Sequence, residues 1–139
     1  MKQLNNSIVK YGSNELLNTI LSGSSDESVR LWDIRSGKQI QVFDGHNDWV
    51  YVVEYSQFVI NDSSNSNVIC SGSEDNTIRF WDIRSNKNEL HMIKGDDKED
   101  NGIYCLKFIR LKTKENINNV TYDLNLCYGS KKGLIRIWG

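Results

Sequence analysis

Apolar and polar residues alternate along this chain in short segments, and two of these segments are nearly identical. In residues 29–32 (VRLW) and 78–81 (IRFW), Val and Leu or Ile and Phe fall on one side of an extended strand, while Arg and Trp fall on the other. Runs rich in Ser, Asn, Asp and Gly separate such segments, and these are turn-forming residues. Helical periodicity appears nowhere convincingly. The pattern therefore predicts an all-β fold built from hairpins.

The hairpins belong to an internal repeat. Residues 71–84 read SGSEDNTIRFWDIR, residues 22–35 read SGSSDESVRLWDIR, and residues 129–139 read GSKKGLIRIWG. Gly, Ser, Arg and Trp keep fixed offsets in all three copies. Coincidences of this kind indicate a repeat architecture, so the repeat is considered before any other feature.

One copy carries enough of a signature to suggest a family. Gly45-His46 precedes Trp81-Asp82, and Asp75 occupies the turn between them. This arrangement resembles the WD-repeat family of β-propellers, whose repeats carry Gly-His and Trp-Asp with a period of about 40–45 residues. The resemblance covers nearly the whole chain. It is specific for the fold, whereas the fold itself hosts many functions.

The resemblance implies a partial β-propeller of about three blades of antiparallel strands. Blade one is expected at about 1–43, blade two at about 44–93, and an incomplete blade three at about 94–139. The count of predicted strands is eleven, four in each of the first two blades and three in the last. Two polar stretches, 57–67 and 112–121, are predicted to be long connections.

Within blade two, the resemblance implies a hydrogen-bonded tetrad of His46, Ser71, Asp75 and Trp81. A buried indole N–H needs an acceptor, and the Ser hydroxyl can accept from it while donating to His. Ser73 could replace Ser71 in this role. A hydrolase triad of Ser, His and Asp is rejected, because the serine would be buried in a sheet and no Gly-x-Ser-x-Gly elbow surrounds it.

The other two blades lack parts of this tetrad. Blade one has Asp26 and Trp32 but no upstream histidine. Blade three has Trp138, but Asp96 stands in place of His, and Lys132 stands in place of the turn Asp. We therefore expect the central blade to be the most stable.

Arginines recur at two offsets around each tryptophan. Arg35 and Arg84 form a Trp-Asp-x-Arg pattern, which resembles WD-repeat substrate receptors that dock the damaged-DNA-binding adaptor of cullin-RING ubiquitin ligases. The alternative is that each pairs with the Asp two residues earlier or is a solvated turn charge. The arginines two residues before each Trp are expected to stack on aromatic or aliphatic surface at the blade edges; these are Arg30, Arg79 and Arg136.

A candidate binding face follows from strand order. With strands running up and down, the loops that enter each blade and the turns between second and third strands emerge at one end. The residues placed there are Trp49, Tyr51, Glu74, Tyr104 and Lys131. Exposed aromatic residues beside charges are typical of protein-binding patches. Alternatively, Trp49 packs between blades, and the acidic stretch 96–100 at the same end is simply solvated.

Composition narrows the classes of partner. A net charge of −1 gives no long-range attraction for nucleic acid or acidic membrane. No apolar run approaches the roughly 20 residues of a membrane span, and no signal-peptide core is visible. His46 and His91 are the only histidines and are too far apart to indicate a zinc site. Cys70, Cys105 and Cys127 are expected to be reduced core thiols of a cytoplasmic or nuclear protein. No cofactor motif is present.

The sequence thus predicts a non-catalytic scaffold for protein or peptide partners. The alternative is a recognition or regulatory part of a larger enzyme, such as a ubiquitin ligase or a signalling NTPase. Closing a propeller ring takes about 4–8 blades, so we expect a fragment of a longer propeller or a ring completed by self-association. The uncovered apolar faces of such an open array would include Ile8, Val9, Leu31, Ile135 and Ile137.

Overall fold

Eleven β-strands and no helix occur in the part of the chain that the computed structural model describes, residues 6–11, 18–56, 67–84, 89–116 and 119–139. The all-β prediction and the predicted number of strands are therefore confirmed for these residues. No helix that could span a bilayer occurs in these ranges.

The strands form three antiparallel sheets. Sheet one contains β1 (Asn6–Tyr11), β2 (Thr19–Ser24), β3 (Val29–Asp33) and β4 (Lys38–Phe43). Sheet two contains β5 (Val50–Tyr55), β6 (Val68–Ser73), β7 (Thr77–Asp82) and β8 (Glu89–Lys94). Sheet three contains β9 (Ile103–Asn116), β10 (Asn119–Ser130) and β11 (Ile135–Trp138). In each sheet the strands lie side by side in chain order, as hairpins with short turns favour. The first strands of the sheets neighbour one another, with β5 in contact with both β1 and β9.

Two apolar cores hold the sheets together. The Val29 and Leu31 face of sheet one packs on Ile69 and Trp81 of sheet two. The opposite face of sheet two, with Ile78 and Phe80, packs on sheet three. The second core also contains Ile103, Leu106, Phe108, Leu126 and Tyr128. The Trp81 face of sheet two therefore points toward sheet one, and its Ile78 and Phe80 face points toward sheet three.

This polarity corrects one expectation about exposed residues. Leu31 was expected on an uncovered outer face, yet it is buried against sheet two. The uncovered face of sheet one is instead the Trp32 face, where Val9 and Tyr11 are exposed. At the other end of the array, the exposed Ile135 and Ile137 agree with the expectation. The side chain of Ile8 lies outside the described part.

Two of the three cysteines are not core residues. Cys70 is fully buried in sheet two, and this burial raises the pKa of its thiol. Cys105 is exposed and Cys127 is half-buried, so the prediction of core thiols is wrong for these two. Both lie on the uncovered face of sheet three, where Cys105 is opposite Gly129 and Cys127 is opposite Ile137. Their apolar strand pattern did not reveal that this face lacks a neighbour.

The second predicted connection is largely strand. β9 and β10 pair along their length, from Ile103 opposite Ser130 to Asn116 opposite Asn119. The prediction of an irregular connection over 112–121 is therefore wrong, because its Thr and Val residues suit extended pairing despite their polar neighbours. Of the first connection, residues 57–66 lie outside the described part.

The three hairpin turns between second and third strands share one backbone conformation. Glu27, Asn76 and Gly133 occupy the same place in their turns and have φ values of 70°, 63° and 83°. Gly and Asn enter this left-handed region at little cost, whereas Glu does so less readily. In sheet one, Glu27 therefore occupies a left-handed position that Asn76 and Gly133 adopt more favourably in the other two sheets.

Candidate functional site

The four residues predicted to form a tetrad lie together at the interface between sheets one and two. His46 lies in the loop before β5, Ser71 is in β6, Asp75 is in the following turn and Trp81 is in β7. His46 Nδ1 is 2.8 Å from Asp75 Oδ2, and its Nε2 is 2.8 Å from Ser71 Oγ. Trp81 Nε1 donates to Ser71 Oγ at 2.9 Å. Ser73 donates instead to the carbonyl oxygen of Asp48, so Ser71 is the serine that joins these residues.

The direction of the hydrogen bonds follows from the groups themselves. A carboxylate can only accept, so His46 Nδ1 carries the proton that is donated to Asp75. In the neutral imidazole, Nε2 then accepts from the Ser71 hydroxyl, whose oxygen accepts from Trp81. Ser71 is fully buried. The geometry holds a loop, a turn and two strands together, and the buried serine is accessible to no substrate.

Asp75 receives further hydrogen bonds from its surroundings. Asn47 N donates to Oδ2 at 3.0 Å, while Thr77 donates to Oδ1 from both its N–H and its hydroxyl. Burial alone would raise the pKa of Asp75, but the hydrogen bonds from His46, Thr77 and Asn47 outweigh it and hold the pKa well below its usual range. Asp75 is therefore a charged anchor for the loop.

Gly45 has a steric role beside this network. A Cβ atom at this position would approach Trp81 Cη2 to 2.9 Å, so a side chain here would displace the indole or the loop. The Trp81 ring also lies 5.8 Å from Phe43 and 6.2 Å from His46, measured between ring centroids. Gly45 thus allows the loop to pack closely on the indole, and His46 contacts Ser71, which accepts the hydrogen bond of that indole.

In sheet three a different pair of residues occupies the corresponding region. Asp100 is fully buried and accepts from Arg136 Nε at 2.9 Å and from Asp96 N at 2.8 Å. Burial opposes ionisation, yet the hydrogen bond from Arg136 lowers the pKa of Asp100. Asp96, which stands in place of His, caps its own turn by accepting from Lys98 N and Glu99 N. Sequence reasoning missed Asp100 because it lies in a run of charges that suggested a solvated loop.

Sheet one retains only part of the hydrogen-bond set. Trp32 Nε1 donates to Ser22 Oγ at 2.9 Å, as Trp81 does to Ser71. Asp26 accepts from the N–H and hydroxyl of Ser28 and pairs with Arg30. Asp26 thus contacts its own turn and the start of β3.

The arginines before each tryptophan form ion pairs, which the expectation of stacking did not include. Arg30 pairs with Asp26, Arg79 Nη1 lies 2.5 Å from Glu89 Oε2, and Arg136 pairs with Asp100 and Glu99. Carboxylates at the outer strands and turns are within reach of each guanidinium, and charge pairing with hydrogen bonds is stronger than stacking at such places.

The arginines after Trp-Asp lie at one end of the first two sheets. Asp33 Oδ1 accepts from Arg35 N, and Asp82 Oδ1 accepts from Arg84 N, each at 2.9 Å. The Arg84 side chain also lies 3.5 Å from Asp82, and both arginines are exposed. Both turns therefore present an arginine at the same end of neighbouring sheets.

The five residues predicted as a binding face are contiguous at the opposite end. The rings of Trp49 and Tyr51 are 6.3 Å apart, and those of Tyr51 and Tyr104 are 4.4 Å apart. Glu74 accepts from the Tyr104 hydroxyl at 3.0 Å and from the Lys131 ammonium. We call these five residues the aromatic-acid cluster. It joins sheet two to sheet three.

Exposure and charge differ across this cluster. Trp49 is 53% exposed, although its backbone is fixed because its carbonyl accepts from Glu74 N at 2.9 Å. Burial, the hydrogen bond with Tyr104 and the charge of Glu74 raise the pKa of Tyr51 to about 12. The hydrogen bond with Glu74 raises the pKa of Lys131. At neutral pH Tyr51 is thus protonated, and the cluster combines the Glu74–Lys131 ion pair with an exposed indole.

Asn76 is a second residue that the sequence reasoning missed. Its side-chain oxygen accepts from Gly102 N at 3.1 Å, and its carbonyl accepts from Gly95 N at 2.8 Å. It therefore ties the turn of sheet two to the start and end of the 95–102 loop. The available signal was its alignment with Gly133 in the repeat, because both are residues that favour positive φ.

No group of three or more His, Cys, Asp or Glu side chains placed to hold a metal ion occurs within the described ranges.

Comparison with known proteins decides the family. The profile of the family described as WD domain, G-beta repeat matches residues 9–33 and 37–82, just over half of the chain. The chain belongs to the WD-repeat family. Members of this family generally mediate protein–protein interaction and are generally non-catalytic.

Relatives of this WD-repeat chain match it over different lengths. It is 45% identical over 31 residues to the nuclear distribution protein PAC1-2 of Postia placenta, a match that spans 22% of the chain and 7% of that protein. It is 22% identical to the crystal structures of two computationally designed proteins, Ika4 and Ika8, each with a TM-score of 0.62 over 94% of the chain. The match covers 62% of Ika4 and 31% of Ika8. These structures show the fold alone, that of a β-propeller.

Proposed function

We propose that this WD-repeat chain is a non-catalytic scaffold that binds a protein or peptide through the aromatic-acid cluster. The observation that carries the proposal is the exposed Trp49 indole on a rigid backbone. A large aromatic residue held in place loses little entropy on binding, and Trp and Tyr are enriched among residues that dominate binding energy.

The surroundings of Trp49 support a protein partner. Tyr51 and Tyr104 extend the apolar surface, and Glu74 and Lys131 add polar groups at its edge. An aromatic centre with a polar rim is the usual composition of a protein interface. Since the Glu74 carboxylate is already paired, the aromatic rings supply most of the surface that a partner can desolvate.

Affinity capture with Trp49→Ala tests this site. Partners captured by the wild-type chain are expected to be lost with Trp49→Ala and retained with Trp138→Ala, which removes an exposed Trp near the other end of sheet three. Loss of a central Trp typically costs about 2 kcal/mol or more of binding energy. Circular dichroism confirms that both variants fold. Unchanged capture by Trp49→Ala/Tyr51→Ala/Tyr104→Ala would place the binding site elsewhere.

A second candidate is a receptor that delivers substrates to a cullin-RING ubiquitin ligase. The observation in its favour is that Arg35 and Arg84 are both exposed and that each donates its N–H to the Asp two residues earlier, in neighbouring sheets. Copurification of the damaged-DNA-binding adaptor, lost in Arg35→Ala/Arg84→Ala and retained in Trp49→Ala, supports this role. Absence of the adaptor from wild-type material contradicts it.

A further inference from the structure

One charged residue occupies the same place in the first strand of each sheet. The strand registers define three equivalent rows: Lys10–Leu21–Leu31 in sheet one, Glu54–Cys70–Phe80 in sheet two and Lys107–Cys127–Ile137 in sheet three. All three rows point toward the position of the following sheet. The second and third positions of each row are apolar, whereas the charged first position alternates from Lys to Glu to Lys.

Two of these rows are covered and the third is not. Leu21 and Leu31 pack on sheet two, and Cys70 and Phe80 pack on sheet three. In the last row the Lys107 side chain is 66% exposed and Ile137 is 60% exposed. Ile135, beside Ile137 on the same strand face, is 77% exposed. Sheet three therefore has an apolar face equivalent to two that bind a sheet.

The charges at the first strands are complementary where sheets meet. Lys10 Nζ lies 2.7 Å from Glu54 Oε2, and Lys107 Nζ lies 4.0 Å from Glu54 Oε1. Glu54 thus lies between two lysines, and each contact between neighbouring sheets brings opposite charges together. A sheet placed on sheet three would bring its own first-strand residue toward Lys107.

The uncovered face of sheet one resembles the face that such a sheet would need. The register places Val9, Ser22 and Trp32 where sheet two has Val53, Ser71 and Trp81, which pack on sheet one. A second copy of the chain could therefore supply a matching apolar surface. Its charge does not match, because Lys10 of the second copy would occupy the place of Glu54 and meet Lys107.

We infer that the uncovered face of sheet three is a docking surface for a WD-type sheet that presents a carboxylate at the position of Glu54. Ile135 and Ile137 supply the apolar contact, and Lys107 selects the acidic partner. The repulsion between Lys107 and Lys10 disfavours a second copy as the occupant, since like charges brought together at an interface are a common means of excluding a wrong partner.

Charge substitutions in the full chain provide the test. Lys10→Glu converts the chain into a probe whose sheet one presents the carboxylate, and Lys107→Glu creates the complementary charge on sheet three. Each variant alone is expected to self-associate about tenfold more tightly than the wild type in sedimentation velocity. The double variant Lys10→Glu/Lys107→Glu again pairs like charges and is expected to return to the weak association of the wild type.

Matched controls separate position from net charge. Lys38→Glu changes the net charge equally at an exposed place on β4 and is expected to leave association unchanged. Circular dichroism checks that each variant folds, because Glu at 10 or 107 would lie near Glu54. Tight self-association of the wild-type chain that Lys107→Glu does not strengthen would make a second copy the occupant and overturn the inference. Failure of both single variants to associate more tightly than the wild type would also overturn it.

Discussion

Sheets two and three contain the same Ser-x-x-x-x-x-Arg-x-Trp hairpin framework but stabilise the adjoining loop by different chemistry. Sheet two uses neutral and charged hydrogen bonds that run from Asp75 through His46 to Trp81. Sheet three uses the buried carboxylate of Asp100 with the guanidinium of Arg136. The comparison shows that two different sets of groups can anchor the loop to the hairpin in this fold.

The two anchors differ in how much of each is withdrawn from water. His46, Ser71 and Trp81 are all buried, whereas Arg136 is about one-third exposed beside the buried Asp100. Hydrogen bonds that lose a partner are costly when the remaining group is buried, and less so when water can replace it. Sheet two is therefore expected to depend more strongly on its anchor.

Removing the carboxylate of Asp75 in sheet two should cause the largest loss of stability. Asp75→Ala leaves the buried His46 Nδ1–H and the Thr77 and Asn47 donors without their acceptor. We expect a loss of about 3 kcal/mol in the free energy of unfolding, measured by denaturant titration. Asp26→Ala, at the same place in sheet one, should cost about 1 kcal/mol because the Asp26 carboxylate is half-exposed and accepts from no histidine. Equal losses for the two variants would contradict the role assigned to the tetrad.

Removing the acid of sheet three should cost less. Asp100→Ala takes away the acceptor of Asp96 N and the partner of Arg136, whose side chain can turn toward water. The expected loss is about 2 kcal/mol. Glu99→Ala removes an exposed partner of the same arginine and should change stability by less than about 0.5 kcal/mol. A larger loss of stability in Glu99→Ala than in Asp100→Ala would show that the buried carboxylate is not the one that anchors the loop.

Low pH should weaken both the Asp75 and the Asp100 anchors. The folded pKa values of Asp75 and Asp100 lie below those of the unfolded chain, so their stabilisation is complete above the unfolded pKa, about 4. It is lost as the pH falls from there toward the folded pKa values. Denaturant titrations between pH 7 and pH 2 should show that the difference between wild type and Asp75→Asn is constant above about pH 5 and shrinks below about pH 4. A difference that grows in acid would mean that the Asp75 pKa is raised.

The turn of sheet one can be improved by copying that of sheet two. Glu27 has a φ of 70° at the position of Asn76, and Asn tolerates this conformation better. Glu27→Asn should raise the melting temperature slightly, corresponding to a gain of about 0.5 kcal/mol. Glu27→Ala should bring no such gain, because alanine is also unfavourable at positive φ. A loss of stability in Glu27→Asn would point to an unrecognised contact of the Glu side chain.

The smallest effect is expected where an acid is restored without its histidine. Lys132→Asp places the turn acid of sheet two into sheet three, but no imidazole is nearby to bind it. In the wild type the Lys132 ammonium donates to the carbonyl of Lys98 at the surface. Thermal melts of Lys132→Asp and the wild type should be indistinguishable or show slight stabilisation. A clear destabilisation would assign the Lys132 contact a role in holding the 95–102 loop.

Much of the fold could be predicted because its determinants are local. Alternation of side chains fixed which segments are strands, and repetition of the turn sequence fixed the hairpins. The residues of the tetrad were predicted from the resemblance to WD-repeat proteins, and those of the aromatic-acid cluster from strand order. Their proximity follows because antiparallel strands return the chain to the same end of each sheet.

The direction in which each sheet faces could not be predicted in the same way. Alternation separates the two faces of a strand but does not say which one meets the preceding sheet. This is why Leu31 was misplaced on an open face, and why Cys105 and Cys127 were expected in the core. The polar 112–121 segment was misjudged because pairing between two strands compensates for weak local preference.

The sequence by itself determined the all-β class and the hairpins, because each depends on residue types at fixed offsets. Only the tertiary structure decided that Asp100 is the anchor of sheet three and that Asn76 ties a turn to the 95–102 loop. Only the tertiary structure aligned Lys10, Glu54 and Lys107 at the contacts between first strands. The physical reason is that burial and the distance between charges depend on how sheets pack, and no offset within one repeat contains that information.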